Sequence, residues 1–124
     1  MKTWDPRLSL LEEALIRGAD DWVDVADFTN IAQRSGAKNS ESLRAVALGL
    51  IAEMLGRGLI RPGRVDDFGF HPWDESAVDA IERIVQTWNE DDPFPTPGSV
   101  AWFDLTPKGK ELARAAVQRA EELD

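Results

Sequence analysis

The sequence contains no cysteine and only one histidine, His71. The absence of thiols excludes disulfides, thiolate metal sites and thiol nucleophiles, and a single histidine does not make a two-histidine metal pair. No stretch approaches the roughly 18 continuous apolar residues of a membrane span. The first residues, MKTWDPRL, also lack the apolar run of a signal peptide, so we expect a cytoplasmic protein that does not use the membrane.

Low-complexity composition is absent as well, because nine glycines and seven prolines among 124 residues are ordinary for a folded chain. Hydrophobic residues make up 43% of the sequence, which is too many for a chain that stays disordered. The length suits one hydrophobic core, and we therefore treat residues 1–124 as a single domain.

Basic residues are scarce: 14 face 23 acidic residues, which gives a net charge of −9. Such a surface repels phosphate backbones and anionic lipids at long range. Residues 34–64 are the exception, with six basic and two acidic side chains, or +4, so the remainder carries −13. This asymmetry indicates either a face for an acidic partner or scattered solvated charge, and the sequence leaves both open.

The first part of the chain predicts two helices separated by a short strand. Residues 6–17 predict a helix that Asp5 caps and Gly18 ends, and residues 22–25 are typical of a short strand. Either Asp24 or Asp27 then caps a second short helix, which ends near Gly36.

A third helix is predicted from a cap at Ser40 to Leu55 or Gly56. Its core-facing positions are apolar: Leu43, Ala47, Leu50 and Met54. Its opposite side is also small or apolar: Ala45, Leu48, Gly49, Ala52 and Gly56. A helix that is apolar all round is expected to be covered on both faces.

The second half predicts a strand at residues 59–65, with Pro62 at an edge or bulge position. Residues 66–99 then form an acidic block with an aromatic turn, an amphipathic helix capped by Asp74 or Ser76, and a proline-rich return. The apolar positions of that helix have helical spacing: Ala77, Val78, Ile81, Ile84, Val85 and Trp88. A strand at residues 100–105 and a last helix opened by Thr106 complete the chain.

This order of elements resembles the winged helix-turn-helix, and the runs EMLGRGLI (53–60) and WFDLTPKGKELA (102–113) look like parts of MarR-like and PadR-like regulators. The resemblance covers residues 8–65 and 100–115. It implies an α+β fold in which a winged-helix-like three-helix core lies on a small antiparallel sheet. A helical insertion, residues 66–99, stands in place of the wing between the last two strands, and a C-terminal helix follows.

As a DNA-binding regulator, such a protein would dimerise through its first and last helices. The candidate contacts to nucleic acid, or to an acidic partner, are Arg34, Lys38, Asn39, Ser42, Arg44, Arg57, Arg61 and Arg64. Two departures disfavour DNA. The block 66–99 holds nine acids against one base, Arg83, and the third helix offers few polar side chains for base contacts.

We therefore favour a non-catalytic protein that binds a basic protein partner, as immunity-type or antitoxin-type inhibitors do; DNA binding is the alternative. The candidate contacts to a basic partner are Asp66, Asp67, Asp74, Glu75, Asp79 and Glu82, and residues 20–27 are a further acidic stretch. His71 lacks an accompanying nucleophile, so we expect neither catalysis nor a metal or cofactor. Seven aromatic residues between positions 68 and 103 either fasten the insertion to the core or line an effector pocket.

Overall fold

The computed structural model describes residues 5–123, which contain five α-helices and four strands. The helices are α1 Leu10–Asp20, α2 Val25–Ala32, α3 Ser40–Gly56, α4 Ala77–Thr87 and α5 Pro107–Glu122. The strands are β1 Val23–Asp24, β2 Ile60–Asp66, β3 Gly69–Pro72 and β4 Trp102–Leu105. No helix in these residues has the length and apolar character needed to cross a membrane.

The strands form one antiparallel sheet in the order β1–β4–β2–β3. Phe103 of β4 lies opposite Val23 on one side and opposite Pro62 of β2 on the other. The β2–β3 hairpin extends the sheet, with Asp66 opposite Gly69 at the turn. The architecture is therefore α+β with a small antiparallel sheet, which confirms that part of the predicted fold class.

The start of α1 differs from the prediction. A capping box opens the helix at Leu10, because Ser9 Oγ accepts from the Glu12 backbone N–H at 3.0 Å and Glu12 Oε1 accepts from the Ser9 N–H at 2.9 Å. Gly18 does not end the helix: a Cβ at this position would lie 3.0 Å from the Leu105 side chain, so the glycine permits close approach to β4.

The other predicted caps agree with the structure at all but one position. Asp24 caps α2, Ser76 caps α4 and Thr106 caps α5 through side-chain oxygens that accept backbone N–H groups. Asn39, not Ser40, caps α3, and its Oδ1 accepts from the Ser42 N–H at 2.8 Å. Since helix caps are local contacts, a serine and an asparagine one residue apart compete for the same role.

The core lies between the helices and one face of the sheet. Phe28 of α2 meets Phe103 of β4 edge to face, with ring centroids 5.3 Å apart. The predicted inner face of α3 is confirmed, since all four of its side chains are buried: Leu43, Ala47, Leu50 and Met54. The expected cover over the opposite face is incomplete, because Ala45, Gly49 and Gly56 are exposed.

Pro62 lies just outside the β2–β3 pairing, which covers residues 63–66, so only β4 pairs with it in register, in keeping with the predicted edge position. Its carbonyl accepts from the Trp73 N–H at 2.9 Å on the β3 side, so the proline nitrogen also faces that side and costs no hydrogen bond to β4. One strand prediction is wrong. Strand β3 was predicted as part of a turn. Gly63 makes room for it, because a Cβ there would collide with the His71 carbonyl and the Phe70 ring.

Helix α4 lies against α3 and buries only one side of its apolar spacing. Ala80 and Ile84 are buried within the helix, and Trp88 directly after it is 2% exposed. Val78 and Val85 do not pack inward as their spacing suggested, since they are 65% and 42% exposed. Helix α4 therefore keeps two valine side chains at the surface.

Candidate interaction surfaces

An open cleft of about 770 Å³ separates the N-terminal half of α3 from the loop that follows α4. We call it the α3 cleft, and it is lined by Asn39, Ser40, Glu41, Arg44, Ala45, Leu48, Glu90 and Asp91. The small outer face of α3 forms its floor, and Glu90 and Asp91 add two carboxylates to its wall. Any ligand that approaches this face of α3 therefore meets negative charge.

Arg44, the arginine of this cleft, is held by the insertion. Its Nη2 donates to the carbonyl oxygens of Val85 at 3.1 Å and Trp88 at 3.3 Å, at the C-terminal end of α4. Its guanidinium carbon lies 5.4 Å from the Trp88 ring centroid. A cation is favourable at a helix C-terminus because unpaired carbonyls and the helix dipole give that end partial negative charge. This contact, the Arg44 clamp, joins α3 to α4.

The other basic candidates are spread over several elements, and four of them pair with acids of this chain. The pairs are Arg34–Glu13 at 4.0 Å, Arg57–Glu53 at 3.2 Å, Arg61–Asp104 at 2.9 Å and Arg64–Asp66 at 2.7 Å. Lys38 is exposed in the loop before α3, while Asn39 and Ser42 form the helix cap. The structure therefore does not gather the eight residues into one basic patch.

The β2–β3 turn is organised around Asp66. Its carboxylate accepts from Arg64 at 2.7 Å and from the Phe68 N–H at 2.8 Å, and it hydrogen-bonds His71 Nε2 at 2.8 Å. These three contacts, led by Arg64, hold the pKa of Asp66 well below its ordinary value. Phe68 at the tip is 92% exposed, so the turn presents one aromatic ring beside Asp67.

The outward side of α4, together with the segment just before it, carries most of the remaining candidates for a basic partner. We call it the α4 face, and it consists of exposed residues: Asp74, Glu75, Val78, Asp79, Glu82 and Val85. Glu75 pairs with Arg83 at 2.6 Å, and Arg83 stacks 3.7 Å from the Trp73 ring centroid. Within residues 5–123, Asp74, Asp79 and Glu82 form no ion pair. The face therefore combines unpaired carboxylates with two exposed valines.

Unlike the acids of the α4 face, Asp24 and Asp27 are engaged within the chain, because together they form the capping box at the start of α2. Asp24 Oδ1 accepts from the Asp27 N–H at 3.1 Å, and Asp27 Oδ2 accepts from the Asp24 N–H at 2.9 Å. Asp24 is only 4% exposed. Burial, reinforced by the neighbouring Asp27 carboxyl, raises the pKa of Asp24 to about 6.

The sequence did not predict that Glu90 and Asp91 lie beside α3. Their position depends on Trp88, which is buried and whose indole N–H donates to the Asp92 carbonyl at 2.7 Å. The aromatic residues serve both structure and surface: Trp88 and Phe103 are core residues, whereas Phe68 and Phe94 are exposed. The sequence signal for this loop is a tryptophan at an apolar position of the helical spacing, followed after one residue by the acidic run 90–92.

The surfaces of this protein thus comprise an acid-walled cleft over α3, an acidic helix face and a turn with an exposed phenylalanine. Comparison with protein-family models, with curated proteins and with solved structures gave no match to the chain.

Proposed function

We propose that this chain is a non-catalytic cytoplasmic protein that binds a basic protein partner through the α4 face and the β2–β3 turn. One observation carries the proposal: on the α4 face the carboxylates of Asp74, Asp79 and Glu82, which form no ion pair within residues 5–123, lie beside the exposed side chains of Val78 and Val85. Binding would mask the basic surface of the partner, which is the action of an inhibitor or immunity-type protein.

A winged-helix plan is part of the proposal. The sequence of helices α1 to α3 before β2, and the pairing of β4 with both β1 and β2, support it. In such domains the helix equivalent to α3 reads the DNA major groove. Here that helix offers Ala45 and Leu48 beside three carboxylates, those of Glu41, Glu90 and Asp91, which repel phosphates. This arrangement supports a protein partner over DNA.

The α4 face has the chemistry of a protein-binding surface. Val78 and Val85 lie about two turns apart on one side of α4, with Glu82 between them, so a partner buries apolar area while its basic groups meet carboxylates. Complementary charge speeds association and selects a basic partner, whereas the apolar contacts supply affinity. The exposed Phe68 ring provides a second anchor on the β2–β3 turn.

The test begins with capture of partners from a nuclease-treated extract of the source cells, using the full chain as bait. The retained protein is then purified, and its affinity is measured by calorimetry at low and moderate salt. We expect the triple variant Asp74→Asn, Asp79→Asn and Glu82→Gln to bind at least tenfold more weakly, because it removes from the contact the three carboxylates that form no ion pair within residues 5–123.

The matched control neutralises three exposed acids of α5, Glu111→Gln, Glu121→Gln and Glu122→Gln, which gives the same net charge. It should bind the partner like the unchanged chain. Equal weakening by both triple variants would mean that net charge alone attracts the partner and would overturn the assignment of the α4 face. Duplex DNA binding that falls steeply with salt and is lost in Lys38→Ala would instead favour the DNA-binding regulator.

A further inference from the structure

A second cleft, of about 560 Å³, opens where α1, β1 and α2 meet the loop before β4. Two tryptophans line it, Trp22 from the turn after α1 and Trp102 from β4, together with Pro97. Trp22 is 36% exposed, which is unusual for so large an apolar ring. We call this region the tryptophan cleft, and its aromatic walls distinguish it from the α3 cleft.

The charge of the tryptophan cleft is negative. Four aspartates line it, Asp20, Asp21, Asp24 and Asp27, against one cation, Arg17. Arg17 is already engaged, since it contacts Glu13 Oε1 at 3.2 Å and the carboxylate of Asp27 at 3.9 Å. Asp20 and Asp21 are exposed, and neither forms an ion pair within residues 5–123. The cleft therefore retains uncompensated carboxylates beside two indole rings.

These groups together select an organic cation. Within the described residues, no three His, Asp or Glu side chains are placed to hold a metal ion. The face of an indole ring attracts a cation through its quadrupole, and a guanidinium is planar and weakly hydrated, so it stacks well on such a face. The chain uses this contact itself, because Arg83 stacks 3.7 Å from the Trp73 centroid and Arg44 lies 5.4 Å from that of Trp88.

We propose that the tryptophan cleft binds a guanidinium group carried on an alkyl stem. The indole rings of Trp22 and Trp102 contact the flat face of the guanidinium, and the carboxylates of Asp20 and Asp21 accept its N–H groups. Pro97 offers an apolar surface to the stem. This site uses no residue of the α4 face, so guanidinium binding is independent of the proposed binding of a basic protein partner.

Titration of the ¹⁵N-labelled full chain with butylguanidinium tests the site by NMR. We expect the indole N–H signals of Trp22 and Trp102 to shift and saturate. The Trp88 indole is an internal reference, because it is buried and bonded to the Asp92 carbonyl. Neutral butylurea has nearly the same shape and should cause no saturable shift. Equal shifts with both compounds, or none with the cation, would overturn the proposal.

Two variants locate the site. Trp22→Leu should weaken binding about two- to fivefold, the loss expected for one exposed cation–π contact, and Asp20→Asn with Asp21→Asn should weaken it further. Phe94→Leu, at another exposed aromatic position, and Glu121→Gln with Glu122→Gln serve as controls. Unchanged affinity in both site variants, with otherwise native spectra, would contradict the assignment.

The source of the guanidinium is resolved with a second probe, acetyl-arginine methylamide, which carries the group on a peptide backbone. Equal binding of both probes would assign the site to arginine side chains of a protein. Binding of butylguanidinium alone would assign it to a free small molecule, because the peptide groups would then be excluded by the cleft. The triple variant that neutralises three acids of the α4 face should bind both probes with the same affinity as the unchanged chain.

Discussion

The basic segment 34–64 and the acidic insertion 66–99 carry opposite charge, and they use it in opposite ways. The arginines of the basic segment pair with carboxylates of the same chain, as Arg61 does with Asp104, or enter the Arg44 clamp. The insertion leaves Asp74, Asp79 and Glu82 without ion pairs within residues 5–123. A count of charges suggested two candidate surfaces, whereas the contacts leave the acidic one more available to a partner.

The largest effect on the insertion is expected when its buried residue Trp88 is removed from the core. Trp88→Ala should lower the free energy of unfolding by about 3–5 kcal/mol, because it leaves a cavity between α3 and α4. Denaturant unfolding followed by circular dichroism measures the loss. Phe94→Ala, which removes a 40% exposed ring from the same segment, should cost less than about 1 kcal/mol. Similar losses in the two variants would refute the anchoring role of Trp88.

The Arg44 clamp provides the next test of the comparison. Arg44→Met keeps much of the apolar stem and removes both hydrogen bonds to α4, so we expect a loss of about 1–2 kcal/mol. Hydrogen exchange should accelerate at the amides of α4 more than at those of α1. The matched variant Arg57→Met removes only an exposed ion pair and should change stability by less than about 1 kcal/mol. A larger effect of Arg57→Met would contradict the clamp.

Two carboxyl groups, Asp24 at the start of α2 and Asp66 at the start of the insertion, respond oppositely to acid. The pKa of Asp24 is about 6 in the folded chain against an ordinary 3.8, so protonation of Asp24 stabilises the fold as the pH falls from 7 towards 4. The pKa of Asp66 is lowered, so its protonation at still lower pH destabilises the fold. Asp24→Asn should remove a pH-dependent contribution on the order of 1 kcal/mol between pH 7 and 4.5, whereas Asp66→Asn should not.

Unfolding curves recorded across this pH range for both variants measure these contributions. The Asn side chain still accepts the Asp27 N–H, so the helix cap is preserved in Asp24→Asn. An unchanged pH profile in this variant would show that the Asp24 carboxyl is already ionised throughout the range, contrary to the effect of its burial.

The smallest expected changes in stability come from substitutions on the exposed side of α4, compared with one on its buried side. Val78→Ala should change the free energy of unfolding by less than about 0.5 kcal/mol, because the side chain is 65% exposed, and Val85→Ala, at a side chain that is 42% exposed, by less than about 1 kcal/mol. Ile84→Ala, on the buried side of the same helix, should cost about 2–5 kcal/mol. If the valine variants unfold as readily as Ile84→Ala, the α4 face is not a free surface.

Local rules in the sequence predicted most of the helix caps and the inner face of α3. Thr106 caps α5 as predicted, and Asp24 and Ser76 are each one of the two caps that the sequence offered, because capping depends on residues only three positions apart. Strand β3 was missed because the four residues Gly69–Pro72 have little strand pattern of their own and depend on pairing with β2. The start of α1 was misplaced because two candidate caps, Asp5 and Ser9, lie close together.

The candidate site was only partly visible in the sequence. Composition identified the acids of the insertion, since solvated charge is recognisable without a structure. The role of Arg44 was invisible because its partners lie 41 and 44 positions away in the chain. Helical spacing placed Val78 and Val85 with the inward residues, because spacing defines the faces of a helix and not which face has a neighbour.

The Arg44 clamp has a consequence for the order of events during folding. Its partners are separated by 41 and 44 positions, so closing this loop costs more chain entropy than forming the adjacent β2–β3 hairpin. Helix α4 is therefore expected to dock late and to be released early, through an opening that leaves the α1–α3 core intact. The docking of α4 on α3 positions the α4 face, so a partner that binds this face also slows the release of α4. The lifetime of the docked helix then measures how much of the protein has a partner bound.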